Sequence, residues 1–102
     1  MNKKRILKRF QPYLWSTKVE NLDSEKHKVY IIHHVLMYGE LEDIKQLFKL
    51  YPKEEIRQVF LKKPLKVYTR PAFHFVKNYI LKLSNAKIPE EKYVNTFYRK
   101  TG

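Results

Sequence analysis

The chain has 102 residues and a formal net charge of +12, with 22 Lys+Arg against 10 Asp+Glu. This length fits one domain, and the absence of cysteine excludes disulfides, thiolate metal sites and cysteine nucleophiles. Since no apolar run approaches the roughly 18–20 residues of a membrane span, and no apolar segment follows the basic start, we expect a soluble cytoplasmic protein without a secretory signal or membrane contact.

The N-terminal segment is the most basic part of the chain. Residues 1–9 contain five bases and no acid, and we predict a flexible basic arm here, followed by a single helical domain over residues 10–102. Asp23 or Ser24 is the predicted N-cap of the first long helix, which ends at Gly39 in a left-handed conformation. Apolar residues occupy most positions of this helix, so it is predicted to be the central, most buried one.

Further helices are indicated by apolar spacing and by proline. Two short helices are predicted on either side of Pro52, with Leu41 on the apolar face of the first. Thr69 is predicted to cap another helix, and Pro89 to open a short last one. The sequence therefore predicts an all-α bundle of four to five short helices. Its predicted core comprises Ile32, Val35, Leu36, Leu47, Phe48, Val59, Phe73, Val76 and Ile80.

The positive charge lies in two blocks that contain no acid. Residues 1–19 carry six bases and residues 56–89 carry eight, whereas residues 20–55 hold eight acids and five bases. A block of one sign attracts polyanions, which favours a nucleic acid or an acidic protein surface as partner. A charge excess that serves solubility, or a lysine-rich genome, explains the same composition.

Histidines and carboxylates are the residues to test for metal binding or catalysis. His27 and His34 lie two helical turns apart, roughly 10 Å along the axis, which is too far for one ion. Neighbouring His33 and His34 point about 100° apart on a helix, and we expect one of them to be partly buried and bonded to a backbone carbonyl. The acids of residues 40–43 and 54–55 lie at the N-termini of predicted helices, where they stabilise the helix. We predict no metal, no cofactor and no enzymatic activity.

The helix pair around Pro52 resembles a helix-turn-helix in outline. Arg57 and Gln58 on its second helix are residue types that read guanine and adenine edges. A plain helical hairpin within a bundle explains the same pattern, so both interpretations stay open. The candidate nucleic-acid-binding residues are Lys3, Lys4, Arg5, Lys8, Arg9, Arg57, Gln58, Lys62, Lys63, Lys66 and Arg70.

Aromatic residues are frequent, with eight Tyr, six Phe and one Trp. Those in short or irregular segments near both ends of the chain are typical of protein interfaces, where rings with one polar edge are favoured. Packing of loops onto a small core is an equally good explanation. The candidate partner-binding residues are Tyr13, Trp15, Tyr93, Phe97 and Tyr98.

Two short motifs, Tyr38-Gly39 followed by Leu41-Glu42-Asp43, and Lys53-Glu54-Glu55-Ile56-Arg57, are the most specific signals of a known family. Over residues 13–80 the chain resembles small bacterial helical proteins of unassigned function that are found beside nucleotidyltransferase-like toxins of the abortive-infection type. The resemblance implies an antitoxin-like protein that binds a partner enzyme and its own operator DNA. It supplies no catalytic residues.

These observations lead to one principal hypothesis and two alternatives. The principal hypothesis is a non-enzymatic, antitoxin-type binding protein that masks a partner nucleotidyltransferase-like toxin and binds duplex DNA through its basic blocks. The first alternative is a free-standing helix-turn-helix DNA-binding protein. The second is an RNA- or ribosome-associated accessory protein whose N-terminal arm follows the phosphates.

Overall fold

The computed structural model describes residues 3–14, 18 and 21–95, and it confirms the predicted all-α fold. None of the helices within these ranges is long and apolar enough to cross a membrane. The α-helices are α1 (Lys3–Arg9), α2 (Lys28–Tyr38), α3 (Leu41–Leu50), α4 (Lys53–Lys62) and α5 (Arg70–Phe75). Single helical turns among the described residues include a 3-10 turn (Gln11–Tyr13), a π-helical turn (Val76–Ile80) and a later 3-10 turn (Glu90–Lys92).

Helix α2 lies at the centre of the core, as predicted. It contacts α3 and α4, and its six consecutive residues 31–36 are buried. A helix that is apolar on most sides must be covered on most sides, which explains why its neighbours surround it. Phe48 and Ile80 are only partly buried and pack against the core, whereas the other predicted core residues are buried.

Residues 3–9 form helix α1, so the prediction of a flexible arm over 1–9 is wrong for this segment. Ile6 and Leu7 are buried, and Phe10, which follows the helix, is completely buried. These side chains attach α1 to the core, where it contacts α3. Burial of apolar surface favours an ordered segment even when most of its residues are charged, since the charged side chains stay in solvent.

The two ends of α2 differ in detail from the prediction. The Asp23 carboxylate accepts hydrogen bonds from two backbone amides of the following turn, at 2.8 and 2.9 Å. Helix α2 begins after this turn, at Lys28. Gly39 follows α2 with φ −74° and ψ 154°, so the predicted left-handed conformation is wrong. Glycine is favoured here by space, because a Cβ would lie 2.7 Å from the Val35 carbonyl oxygen.

Helices α3 and α4 meet at Pro52, where the sequence places their boundary. Tyr51 is buried at this junction, and its hydroxyl donates to the Ser24 carbonyl at 2.6 Å. This hydrogen bond connects the junction of α3 and α4 to the turn before α2. Leu41, expected on the apolar face, is 62% exposed because it occupies the first position of α3.

The C-terminal part contains less regular helix than predicted. Thr69 caps α5 as predicted, with its hydroxyl accepting a backbone amide at 3.3 Å. The helix then widens into the π-helical turn Val76–Ile80. Within the described residues, which end at 95, the predicted last helix is a single 3-10 turn, Glu90–Lys92, after which Val94 forms an isolated parallel bridge with Tyr68.

Candidate nucleic-acid interface

A concave groove of about 210 Å³ lies at the C-terminal end of α4. Lys62 lines it from α4, Lys87 lines it from the segment before the last 3-10 turn, and Lys92 lines it from that turn. No acidic residue is among those that line it in the described part of the chain. The remaining lining residues are Leu61, Pro64, Ile88, Pro89 and Tyr93.

The wall formed by residues 87–93 is joined to α4 by Tyr93. The Tyr93 hydroxyl donates to the Phe60 carbonyl, one of the last carbonyls of α4. In a regular helix the amide four residues later would satisfy this carbonyl, but that residue is Pro64, which has no N–H. Tyr93 therefore replaces a missing backbone donor and holds the two walls together.

His33 provides a second connection from the core to the end of α4. Its Nε2 donates to the Lys63 carbonyl at 2.7 Å, and its Nδ1 accepts from the Tyr68 hydroxyl at 2.8 Å. Burial lowers the pKa of His33 to about 4, which keeps the ring neutral with one donor and one acceptor. The expected buried histidine on a backbone carbonyl is thus present. Among the described residues, no group of three or more His, Asp or Glu could hold a metal ion.

Lys62 also lines a second groove, of about 220 Å³, on another side of α4. The acid in this groove, Glu55, is paired with Lys28 at 2.8 Å, and this hydrogen bond raises the pKa of Lys28. Lys63 adds a further positive charge to the lining. The end of α4 therefore presents lysines to two adjoining concave surfaces, with Lys62 shared between them.

Arg9 lies in a separate cluster, organised by the buried carboxylate of Asp43. Asp43 accepts hydrogen bonds from Arg9 Nε at 2.6 Å, from the Tyr13 hydroxyl at 2.6 Å and from the Glu40 backbone amide at 2.9 Å. Burial alone would raise the pKa of Asp43, but these hydrogen bonds and the positive charge of Arg9 hold it below its ordinary value. Arg9, which is predicted to bind nucleic acid, thus joins α1 to α3. Tyr13, which is predicted to bind a partner, joins the following 3-10 turn to α3.

The residues predicted to read bases have intramolecular contacts. The Arg57 guanidinium lies 3.8 Å from the Glu54 carboxylate and donates to the Lys82 carbonyl at 3.4 Å. Gln58 donates to the same Glu54 at 3.3 Å. An acid on the face that would enter a DNA groove opposes the approach of phosphates. Base reading by Arg57 and Gln58 stays a prediction that this geometry does not favour.

The other predicted nucleic-acid-binding residues are distributed over several surfaces. Arg70 pairs with Glu90 at 3.0 Å, and His74 binds the same carboxylate at 2.8 Å. These contacts join α5 to the last 3-10 turn. Arg9 and Arg70 are exposed but paired with acids. The other exposed members of the set are Lys3, Lys4, Arg5 and Lys8 on α1 and Lys62, Lys63 and Lys66 at or just after the end of α4.

The predicted aromatic interface is only partly within the described residues, since Trp15, Phe97 and Tyr98 lie outside them. Tyr93 is 1% exposed, so the expectation that it is available on the surface is wrong. Its ring packs 4.8 Å from Phe60, between centroids, in a buried aromatic cluster.

Two lysines of the basic groove and two exposed aromatic residues were not identified as site residues from the sequence. Lys87 and Lys92 line the basic groove, and the signal for Lys87 was its position in the acid-free block 56–89. Phe75 and Tyr79 are exposed by 45% and 71%, and their four-residue spacing on a helix was the available signal.

The motifs behind the family resemblance take part in structural contacts, including the Asp43 cluster and the Lys28–Glu55 pair. A family profile matches residues 10–60, which run from the segment after α1 into α4. No curated protein and no solved structure matches the chain. The matched residues include α2 and α3 but not the groove wall formed by residues 87–93. The chain belongs to a family of unknown function, DUF6922.

Proposed function

We propose that this is a non-enzymatic binding protein that contacts the phosphates of a nucleic acid through the basic groove at the end of α4. The observation that carries the proposal is the lining of that groove by Lys62, Lys87 and Lys92 without an acid among its lining residues. A concave surface of one sign concentrates the electrostatic potential and attracts an anionic partner. Its volume of about 210 Å³ lies below the roughly 300–1,000 Å³ of usual small-molecule sites, which favours a backbone phosphate over an enclosed substrate.

The positions of the buried titratable groups support binding over catalysis. His33 is completely buried and bonded on both ring nitrogens, and Asp43 is occupied by three hydrogen bonds. A general acid or base must lie within reach of the proton that it transfers. Their contacts give both residues structural roles instead.

The salt dependence of binding tests this proposal. Each neutralised phosphate releases counterions, so the logarithm of affinity falls with log salt by about 0.9 per contact on duplex DNA. The three groove lysines and Lys63 of the adjoining groove offer four contacts, which predict a slope of about −4. Lys62→Gln, Lys87→Gln and Lys92→Gln should each shallow the slope by about one unit.

A matched variant separates local contacts from net charge. Lys49→Gln removes the same charge from an exposed position on α3 that lines neither groove, so it should leave the slope almost unchanged. Absence of binding to duplex and single-stranded nucleic acid at low salt would refute the proposal. Equal effects of Lys49→Gln and Lys62→Gln would assign the attraction to net charge and refute the role of the groove.

A second candidate function is the antitoxin-type masking of a partner enzyme, and exposed apolar side chains favour it. Tyr38 and Leu41 flank Gly39 and are 39% and 62% exposed, within the family-matched segment. Exposed aromatic and aliphatic side chains close together are typical of protein interfaces. Co-expression with the product of an adjacent toxin-like gene should give a complex that Leu41→Asp disrupts, and failure to co-purify or to reduce toxicity would refute this function.

A further inference from the structure

We infer that Phe75 and Tyr79 form a stacking platform for unpaired bases, so that the nucleic acid bound is a single strand. This inference rests on the proposed function and specifies the ligand. The two rings have centroids 5.8 Å apart and planes inclined by 33°. Both are largely in solvent, with Phe75 45% and Tyr79 71% exposed.

Local helix geometry explains why these rings point away from the core. Phe73 and Val76 on the same helical segment are buried, and they fix the side on which it packs. Phe75 and Tyr79 are four residues apart, which places them on one face of the helix. The backbone hydrogen bonds of the helix change here to those of a π-helical turn, in which the Leu81 amide donates to the Val76 carbonyl at 2.9 Å. The exposed pair is thus held by a packed helix rather than by a loop.

The charge of the sequence segment that carries the pair favours an anionic partner. Both rings belong to the acid-free block 56–89, and Lys77 and Lys82 follow Phe75 closely along the chain. One hydrogen bond connects the helix that carries the platform to the segment that forms the groove wall. His74, one residue before Phe75, is bonded to Glu90, which lies between Pro89 and Lys92 of the groove wall.

Exposed aromatic rings in a basic segment match the chemistry of a single strand. Unpaired bases stack on exposed rings, while lysines contact the backbone, and this mode tolerates many sequences. A duplex buries the faces of its bases in its own stack and can offer only phosphates to the same surface. Since residues 56–89, which include both rings, carry eight bases and no acid, a nucleic acid is a better match than an apolar protein surface.

Fluorescence anisotropy with three labelled probes tests the inference: an oligodeoxyadenylate strand, the same strand in a duplex, and an abasic strand of equal length. We expect the base-bearing strand to bind most tightly. Tyr79→Ala and Phe75→Ala should each weaken that binding by roughly 5- to 150-fold, without changing the salt slope. Tyr79→Phe, which keeps the ring, should retain it, and far-UV circular dichroism checks that every variant is folded.

The outcomes separate this inference from the proposed function. If the abasic strand or the duplex binds as tightly as the base-bearing strand, or if Tyr79→Ala has no effect, the platform is refuted. The slope change in Lys62→Gln then still tests the groove independently. If Tyr79→Ala instead abolishes association with a partner protein and leaves nucleic-acid binding intact, the pair is a protein-docking surface and the inference is overturned.

Discussion

The buried imidazole of His33 makes the stability of this protein depend on pH. The ring is completely buried, and burial, with a smaller contribution from neighbouring His34, lowers its pKa from 6.5 to about 4. In the unfolded chain the ring takes up a proton near its ordinary pKa. As pH falls from 6.5 towards 4, the unfolded state therefore binds more protons than the folded state, and the free energy of unfolding falls.

The two pKa values determine the size of this effect. The difference between 6.5 and about 4 corresponds to about 3 kcal/mol, which is present above pH 6.5 and fully lost only below pH 4. At a pH of about 5, about 2 kcal/mol should already be lost. Burial lowers the pKa of His34 as well, so this residue acts in the same direction. The carboxyl of Asp43 contributes stability that is lost only as pH falls below its ordinary value of 3.8.

Urea unfolding followed by circular dichroism, at pH values of about 7.5 and 5, measures the loss. The matched variant is His33→Gln, whose amide can donate to the Lys63 carbonyl and accept from Tyr68 but does not titrate. It should be less stable at the higher pH and should lose clearly less stability on acidification, whereas His34→Gln should retain most of the wild-type loss. A wild-type protein equally stable at both pH values would refute the reasoning, as would an undiminished loss in His33→Gln. An NMR titration of the ring would measure its pKa directly.

Two further predictions concern the contacts between α1, α2 and α3. Gly39→Ala should destabilise the protein by about 1–3 kcal/mol, because the added Cβ would lie 2.7 Å from the Val35 carbonyl oxygen. Thermal unfolding measures this loss, and an unchanged midpoint would contradict the assigned role of the glycine. Asp43→Asn should cost about 1–3 kcal/mol, because its amide cannot accept from Arg9 while satisfying the other donors. Arg9→Gln should cost less, since the Arg9 side chain is 46% exposed, and the reverse order in urea unfolding would count against a buried carboxylate as the centre of this cluster.

The central position of α2 and some of the helix boundaries could be predicted because they depend on local chemistry. Pro52 separates α3 from α4, and Thr69 caps α5, since both act on backbone groups within a few residues. The apolar residues of α2 likewise indicate burial without reference to their partners. The lysines at the end of α4 were candidate site residues for the same reason, as members of a block without acids.

Tertiary packing decided which of the charged and aromatic residues form a surface together. Lys87 and Lys92 reach Lys62 because the Tyr93 hydroxyl satisfies the Phe60 carbonyl, a contact between residues 33 positions apart. The basic segment before Phe10 becomes a docked helix because two of its side chains find space in the core. Charge and spacing describe a residue and its near neighbours, whereas burial and long-range hydrogen bonds depend on which distant groups the fold brings into contact. That dependence is why the sequence by itself predicts helices α2 to α5 but not α1, and why only the tertiary structure separates the exposed basic groove from the charges that form internal pairs.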